Sequence, residues 1–376
     1  MPSEYVFWLA VAVPVYAYLG YPLILALLTV VIRRPVRRAP VPDPDAPMVS
    51  LLIPAYREAA VIEEKIRNSL ALDYPADRLE IVVACDGSPD ETPALARRMA
   101  DGHRVRVLDY PMNRGKMNVL NASIPELRGE IVVFSDAAAL LYPDAVSRLV
   151  SNFADTSVGA ASGKYTVVKA DEVSIGRSED FYWRYETVLK VMESRISSTL
   201  GAHGHLHAIR KALYPFPPPG TINDDYIIPA SVIARGYRAV YDSTAIVYEA
   251  AQEMTGFGRR VRIMAGNVQQ LREIKPLLWP PRILPLYFFL SHKAVRLAVP
   301  FAMAVALVAN VMLAGMAPYN ALLTLQVAFY LLAIAGAVWK LRPRLLALPY
   351  YFTMINVAVF FGLYHALTSR RRMSWE

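Results

Sequence analysis

Glu130-Ile131-Val132-Val133-Phe134-Ser135-Asp136 is the stretch whose reading decides the fold. Its run of β-branched and aromatic residues, entered from Arg128-Gly129, predicts a short strand buried on both faces. Such a strand belongs in the middle of a helix-covered, mostly parallel sheet, where ligands bind outside the carboxyl ends of the strands. Asp136 stands at that end. A carboxylate there can hold a divalent metal, and the metal can hold a phosphate. Ala137, Ala138 and Ala139 follow, so no second acid stands beside it.

Upstream, strand and helix patterns alternate. Val49–Pro54, Leu79–Cys85 and Arg104–Asp109 read as further strands, and Ala59–Leu72, Glu91–Ala100 and Gly115–Leu127 read as helices. Ile62, Ile66 and Leu70 share one face of the first helix, with Glu63, Glu64 and Arg67 elsewhere. This alternation predicts an α/β domain of nucleotide-binding type with right-handed crossovers. Downstream the pattern loosens. Val158–Val168, Leu206–Ile209 and Tyr237–Tyr248 read as strands, while Ser178–Ser198, Asp225–Arg235 and the basic stretch Gly256–Leu271 read as helices. This second half would complete the acceptor side of a cleft.

The 376 residues are 55% hydrophobic and only 19% charged, well below the roughly one-quarter charged of an ordinary globular domain. Tyr5 to Ile32 contains no charged side chain, a longer run than the ~20 residues needed to cross a bilayer. Pro14 and Pro22 are tolerable in such a helix. The run is too long for a signal peptide and lacks its basic leader and small-residue cleavage site. Arg33, Arg34, Arg37 and Arg38 follow at once, which puts this end and the next domain in the cytoplasm. The net charge of +8 therefore reads as membrane orientation and contact with membrane lipids, not as nucleic-acid binding. The single Cys85 allows no internal disulfide, in keeping with a reducing compartment.

These signals divide the chain into a transmembrane helix (1–32), a basic proline-rich linker (33–48) and a cytoplasmic domain (49–275). An interfacial amphipathic segment (276–296) would follow, then three transmembrane segments (297–367) and a basic tail (368–376). The three segments are expected at Leu297–Gly315, Tyr319–Trp339 and Leu345–Leu367. That count leaves Arg370, Arg371 and Arg372 on the outer side, against the positive-inside rule. A re-entrant or interfacial last segment would remove the conflict.

Several polar motifs fall at the same sheet edge as Asp136. Pro54-Ala55-Tyr56-Arg57-Glu58 follows the first strand and Asp86-Gly87-Ser88 the second. Asp86 can accept from a base edge, although Asp-Gly-Ser also suits a plain turn. Arg114-Gly115-Lys116 opens the third helix, whose N-terminal amides and lysine suit a phosphate. Asn223-Asp224-Asp225 either caps the following helix or offers a carboxylate base. Arg259 and Arg262, three residues apart, share one helix face. His203, His205 and His207 alternate, which on a strand would put all three on one side; His203 is the candidate extra metal ligand. Hydrogen-bonded histidines lining a pocket or packed locally are the ordinary alternative.

The ordered set of motifs resembles the family-two glycosyltransferases, in particular the membrane-embedded branch of hyaluronan, chitin and cellulose synthases. Ser50 to Glu58, Leu72-Asp73-Tyr74-Pro75, Asp86-Gly87-Ser88, Arg114-Gly115-Lys116, Phe134 to Ala137, Asn223-Asp224-Asp225 and Arg259 to Arg262 carry the resemblance. It implies a GT-A fold, a nucleotide-diphosphate sugar donor (usually a uridine one), and Mg²⁺ or Mn²⁺. It also implies roles. Pro54, Tyr56, Glu58, Asp86, Lys116 and Arg259 would bind the donor, and Asp136, helped by His203, the metal. Asp225 would be the general base supported by Asp224, and Arg262 would neutralise the leaving diphosphate. Two departures stand out. Ala138 replaces the second aspartate of the Asp-X-Asp metal motif, and Ile263 replaces the tryptophan on which processive relatives stack the acceptor sugar.

The expected activity is inverting transfer of a sugar to a growing exo- or capsular polysaccharide at a bacterial-type inner (plasma) membrane, with a carbohydrate or lipid-linked acceptor. Single transfer to a lipid-linked acceptor and a catalytically silent export subunit are the alternatives. With Asp136 as the metal carboxylate, Asp136→Asn abolishes metal-dependent transfer, whereas Ala138→Asp retains activity or tightens metal binding; titrating activity against Mn²⁺ in both variants checks this.

Overall fold

The computed structural model describes residues 2–41, 45–168, 174–250, 257–272, 275–278, 282–339 and 344–368. Among them, eight strands form one mixed sheet. They are β1 Val49–Ala55, β2 Leu79–Asp86, β3 Val105–Tyr110, β4 Ile131–Phe134, β5 Leu140–Leu141, β6 Val158–Val168, β7 His207–Arg210 and β8 Arg238–Ala250, in the order β3-β2-β1-β4-β7-β6-β8-β5. The first four strands are parallel, with Val49 opposite both Leu79 and Ile131. At β4 the sheet changes direction, because β7 runs antiparallel to both β4 and β6.

β4 is buried throughout, as its composition predicts. Its residues alternate between two cores. Ile131 and Val133 pack with Leu51, Ile53, Ile62 and Ile66, whereas Val132 and Phe134 pack with Leu52, Val82, Leu120 and Ile228. With helices on both faces, the carboxyl ends of β1, β2 and β4 are left as the open edge. Helices are shorter than the periodicity suggests. The first begins at Ile62, because residues 58–61 form a turn in which Thr92 Oγ1 accepts from Glu58 N at 2.9 Å and Asp90 from Ala59 N at 3.3 Å. The third stops at Ser123, since Pro125 brings no amide to continue it.

Among the described residues, four helices are long and apolar enough to cross a membrane: Pro2–Val31, Ile283–Met312, Ala317–Trp339 and Leu348–Thr368. The first two each contain a π-helical turn, Tyr16–Gly20 and Phe289–Ala294, and the turns meet where Tyr16 Oη lies 2.7 Å from Ser291 Oγ. Residues 283 to 312 therefore form one continuous helix that runs across the expected boundary at residue 296. The charges that suggested an interfacial segment have buried partners. His292 Nδ1 lies 2.6 Å from Glu193 and its Nε2 3.1 Å from Glu186, while Arg296 pairs with Glu186. Both acids stand on helix Ser174–Ile196, which packs against the mixed sheet. The proline-rich linker is also docked. Arg34 N donates to Arg195 O at 2.9 Å, Arg238 donates to the carbonyls of Arg34 and Pro35, and Arg38 pairs with Asp242 at 3.3 Å.

The last helix, Arg344–Thr368, packs against helix Phe257–Arg272. Arg260 covers the Tyr351 ring at 4.8 Å and donates to its hydroxyl at 3.3 Å, and Phe257 meets Phe361 edge-on at 5.4 Å. Arg370, Arg371 and Arg372 lie outside the described residues. Gly362 is what lets the two backbones approach, since a Cβ there would stand 2.6 Å from Met264 Cβ and 2.8 Å from Ala265 N. Gly362→Val is expected to cost about 1–3 kcal/mol by overpacking; the drop in apparent Tm of detergent-purified protein, with a parallel loss of nucleotide affinity as helix Phe257–Arg272 shifts, checks it.

Candidate active site

A cleft of about 920 Å³ opens at the carboxyl ends of the parallel strands. Pro54, Glu58, Lys116, Asp136, Asp224 and Arg262 line it, six of the residues singled out in the sequence. Residues more than a hundred positions apart thus share one wall. Tyr56, Asp86, His203 and Asp225 are not on that wall.

Lys116 is the hinge of the arrangement. Gly115 turns the chain at φ +84° and Lys116 opens the helix to Ser123. Its ammonium lies 3.1 Å from Asp136 Oδ1 and 3.2 Å from Asp224 Oδ2. Burial works against a charge here, but Asp136 and Asp224 outweigh it and hold the ammonium above the ordinary lysine range. Asp136 shows the mirror image. Burial would raise its pKa, yet Lys116 and His205 bring it down to about 2, so it is ionised throughout the physiological range.

Asp86 braces the loop that carries Lys116. It is buried, and its two oxygens already accept from Arg114 N and Gly115 N, each at 2.8 Å. Its carboxylate thus shapes the loop that presents Lys116. Gly87, at φ +59°, lets that loop pass, since a Cβ there would run into the Met112–Asn113 backbone. Ser88 accepts from Arg57 N at 2.7 Å, fixing the Tyr56–Glu58 turn, and Arg57 lies over the Tyr56 ring at 5.3 Å.

The histidines do not share a face, because β7 starts only at His207 and the chain turns at Gly204-His205. His203 is buried between Trp183 and Tyr241, with its amide on Ser162 Oγ at 2.9 Å. His207 stacks on Phe134 at 4.7 Å, and burial lowers its pKa to about 4. His205 alone faces the cleft, with Nε2 4.0 Å from Asp136 Oδ2 and 3.5 Å from Glu249 Oε2. Of the three histidines, His203, the expected metal ligand, is thus packed away from the cleft lining and His205 stands beside Asp136.

Lys65 and Glu249 escaped the sequence reading. Lys65 is fully buried beneath the Asp136 turn, donating to Ser135 Oγ at 2.7 Å and to Ala139 O, and burial lowers its pKa to about 7. Its signal was readable: with Ile62, Ile66 and Ser69 it completes an i, i+3, i+4, i+7 buried face on which a lysine is out of place. Glu249 enters the cleft from β8, whose long parallel pairing with β6 has no local sequence signature.

Asp225 follows Asp224 into helix Asp224–Ala234, its Cβ close to Gly204. A Cβ on Gly204 would lie 4.0 Å from the Asp225 Cβ, and Asp225 O accepts from Ala202 N at 2.7 Å. Burial, and then the Asp224 charge, raise its pKa, which suits a base that must pick up a proton. Arg262 reaches the cleft from helix Phe257–Arg272, whose Gly266 is covered by the Asn223 side chain. Arg259 lies on the same helix, and its side chain is outside the described residues.

Among the described residues no three Asp, Glu, His or Cys side chains form a closed metal cage. The donor set still fits a divalent ion. The Asp136 carboxylate is ionised, one-third exposed and aimed into the cleft. Mg²⁺ sites ordinarily use one or two carboxylates and leave the rest to phosphate and water. Glu58 records the surplus negative charge, its pKa pushed up to about 7 by burial and then by Asp136 and Glu249. Because the folded value lies above the ordinary 4.5, Glu58 stabilises the fold below about pH 4.5 and that contribution is lost as pH rises through 7. Accordingly, wild type minus Glu58→Gln should give a difference in apparent Tm that falls between pH 5 and pH 8 in EDTA; a constant difference would contradict the assignment.

The comparisons with known proteins agree with this geometry. Residues 50–215 match Glycosyl transferase family 2. A poly-beta-1,6-N-acetyl-D-glucosamine synthase of Staphylococcus aureus is 25% identical over 263 residues, 66% of this chain and 61% of that protein, so the chain spans less than two thirds of this relative. A probable glycosyltransferase, YdaM, of Bacillus subtilis is 33% identical over 138 residues, 35% of this chain and 33% of that protein. Among solved structures, the mannosyltransferase PcManGT of Pyrobaculum calidifontis, in complex with GDP-Man and Mn²⁺, aligns over 97% of this chain and 100% of its own length. Its TM-score is 0.71 and its identity 27%. Residues 50–215 thus match a family-two glycosyltransferase domain, and the chain that carries this domain between apolar helices has a GT-A fold.

Proposed function

We propose that the protein transfers one sugar, with inversion, from a nucleoside-diphosphate sugar to an acceptor held at the membrane surface, using Mn²⁺ or Mg²⁺. The carrying observation is the Lys116 ammonium bridging Asp136 and Asp224 in a cleft that Arg262 also lines. Cationic groups and a metal carboxylate converge where a diphosphate must sit. The domain stands on the cytoplasmic face of a plasma membrane in this reading, supported by the arginines after the first helix.

Asp136 holds the metal, which when bound neutralises the departing diphosphate. Lys116 and Arg262 supply the remaining positive charge. Asp225 accepts the acceptor hydroxyl's proton as that oxygen attacks the anomeric carbon. The bond to the diphosphate breaks on the opposite face, and nucleoside diphosphate leaves. Asp224 keeps Lys116 in place. The whole-chain likeness to a mannosyltransferase solved with GDP-Man makes GDP-mannose the first donor to try, ahead of the uridine donor that the wider family suggests. Ile263 in place of an aromatic platform, 39% exposed, favours single transfer. Polymer synthesis is the second reading, favoured by the similarity to the staphylococcal synthase.

A panel of labelled GDP- and UDP-sugars with membrane vesicles separates these: one added sugar supports the first reading, a ladder of long products the second, and no transfer with either metal overturns both. Asp225→Asn should lower kcat by at least about 10²-fold with little change in donor KM. Asp224→Asn should chiefly raise donor KM, through a misplaced Lys116.

A further inference from the structure

We propose that His205 is the second protein ligand of the divalent ion, taking the place left by Ala138, with Glu249 supplying the balancing negative charge beside it. This rests on reading the site as metal-dependent transfer.

The geometry is specific to His205. Its Nε2 lies 4.0 Å from Asp136 Oδ2 and 3.5 Å from Glu249 Oε2. Both gaps are too long for a hydrogen bond. They fit two donors of one ion, because at ligand distances of about 2.1 Å the separations run from ~3 Å for adjacent donors to ~4 Å for opposite ones. The ring is fixed by stacking on Tyr165 at 4.3 Å, and the Tyr165 hydroxyl donates to Glu249 at 3.2 Å. One aromatic side chain therefore orients both groups.

The position of His205 relative to Asp136 is also locked. Ser135 Oγ, one residue before Asp136, donates to the His205 carbonyl at 3.0 Å and accepts from Lys65 at 2.7 Å. The buried lysine thus ties the turn carrying the aspartate to the segment carrying the imidazole. Charge points the same way, since Glu58, Asp136 and Glu249 share one cleft wall. Lys116 meets only the second of these, together with Asp224. A divalent cation is attracted to three carboxylates gathered on one wall.

A nitrogen donor has a chemical consequence. Mg²⁺ prefers oxygen ligands throughout, whereas imidazole suits first-row transition ions. His205 thus tilts the site toward Mn²⁺, and replacing it should return the preference toward Mg²⁺.

Pulsed EPR of Mn²⁺ bound to the full-length, tag-free protein with GDP reads the ligand directly and needs no turnover. The wild type should show a ¹⁴N coupling from imidazole. His205→Asn should lose that coupling and weaken Mn²⁺ by about 10-fold or more, with an unchanged thermal transition as evidence of folding. Glu249→Gln should weaken Mn²⁺ but keep the coupling. Bound Mn²⁺ without ¹⁴N coupling in the wild type, or coupling that survives in His205→Asn, overturns the proposal and leaves metal-dependent transfer standing. If Mn²⁺ does not bind at all, with GDP or with UDP, both fall.

Discussion

The bridge from the Lys116 ammonium to Asp136 and Asp224 is the interaction on which the site depends. It joins the end of β4, the start of the third helix and the start of helix Asp224–Ala234, three places that sequence separates widely. Removing the lysine takes the cationic partner from both aspartates at once, whereas removing either aspartate leaves Lys116 one partner. The same bridge explains the division of labour between the two adjacent aspartates. Asp224 is held by a cation, while burial and the neighbouring Asp224 charge raise the pKa of Asp225.

The apolar helices serve this site as scaffold. Glu186 and Glu193 lie in a dry interior, where burial would drive both pKa values up, yet Arg296 and His292 pull them below the ordinary range. Tyr21 of the first helix adds a hydrogen bond to Glu193 at 2.7 Å. The long helix behind the acceptor side is thereby fastened to two of the membrane-type helices by buried charge. On the far side, Gly362 and Gly266 let the helix carrying Arg262 sit tightly between the last apolar helix and the Asn223 corner. Such close-packed contacts transmit displacement, so the position of Arg262 is coupled to the apolar part.

Much of this was legible in one dimension. β4, Asp136 at its end, the parallel half of the sheet and the N-terminal apolar helix all rest on local periodicity, which a sequence displays openly. Local periodicity does not show which side chains meet across the fold. His203, His205 and His207 look equivalent as an alternating triplet, but alternation sorts faces only where a strand exists, and β7 begins at His207. Asp86 looks like a ligand for a base because its motif sits at the right edge. Which atoms satisfy a carboxylate depends on a loop nearly thirty residues away.

By itself, then, the sequence determined the α/β class, the strand that presents Asp136, the edge at which the polar motifs gather, and the four long apolar helices. These follow from short-range hydrophobic patterning and side-chain chemistry. Only the tertiary structure decided which carboxylates meet which cations, that His205 and not His203 faces Asp136, and that Lys65 and Glu249 belong near the site. Those outcomes depend on the pairing of β7 and β8 within the mixed sheet and on dry electrostatics, where distances of 3–4 Å between residues remote in sequence set both charge and role.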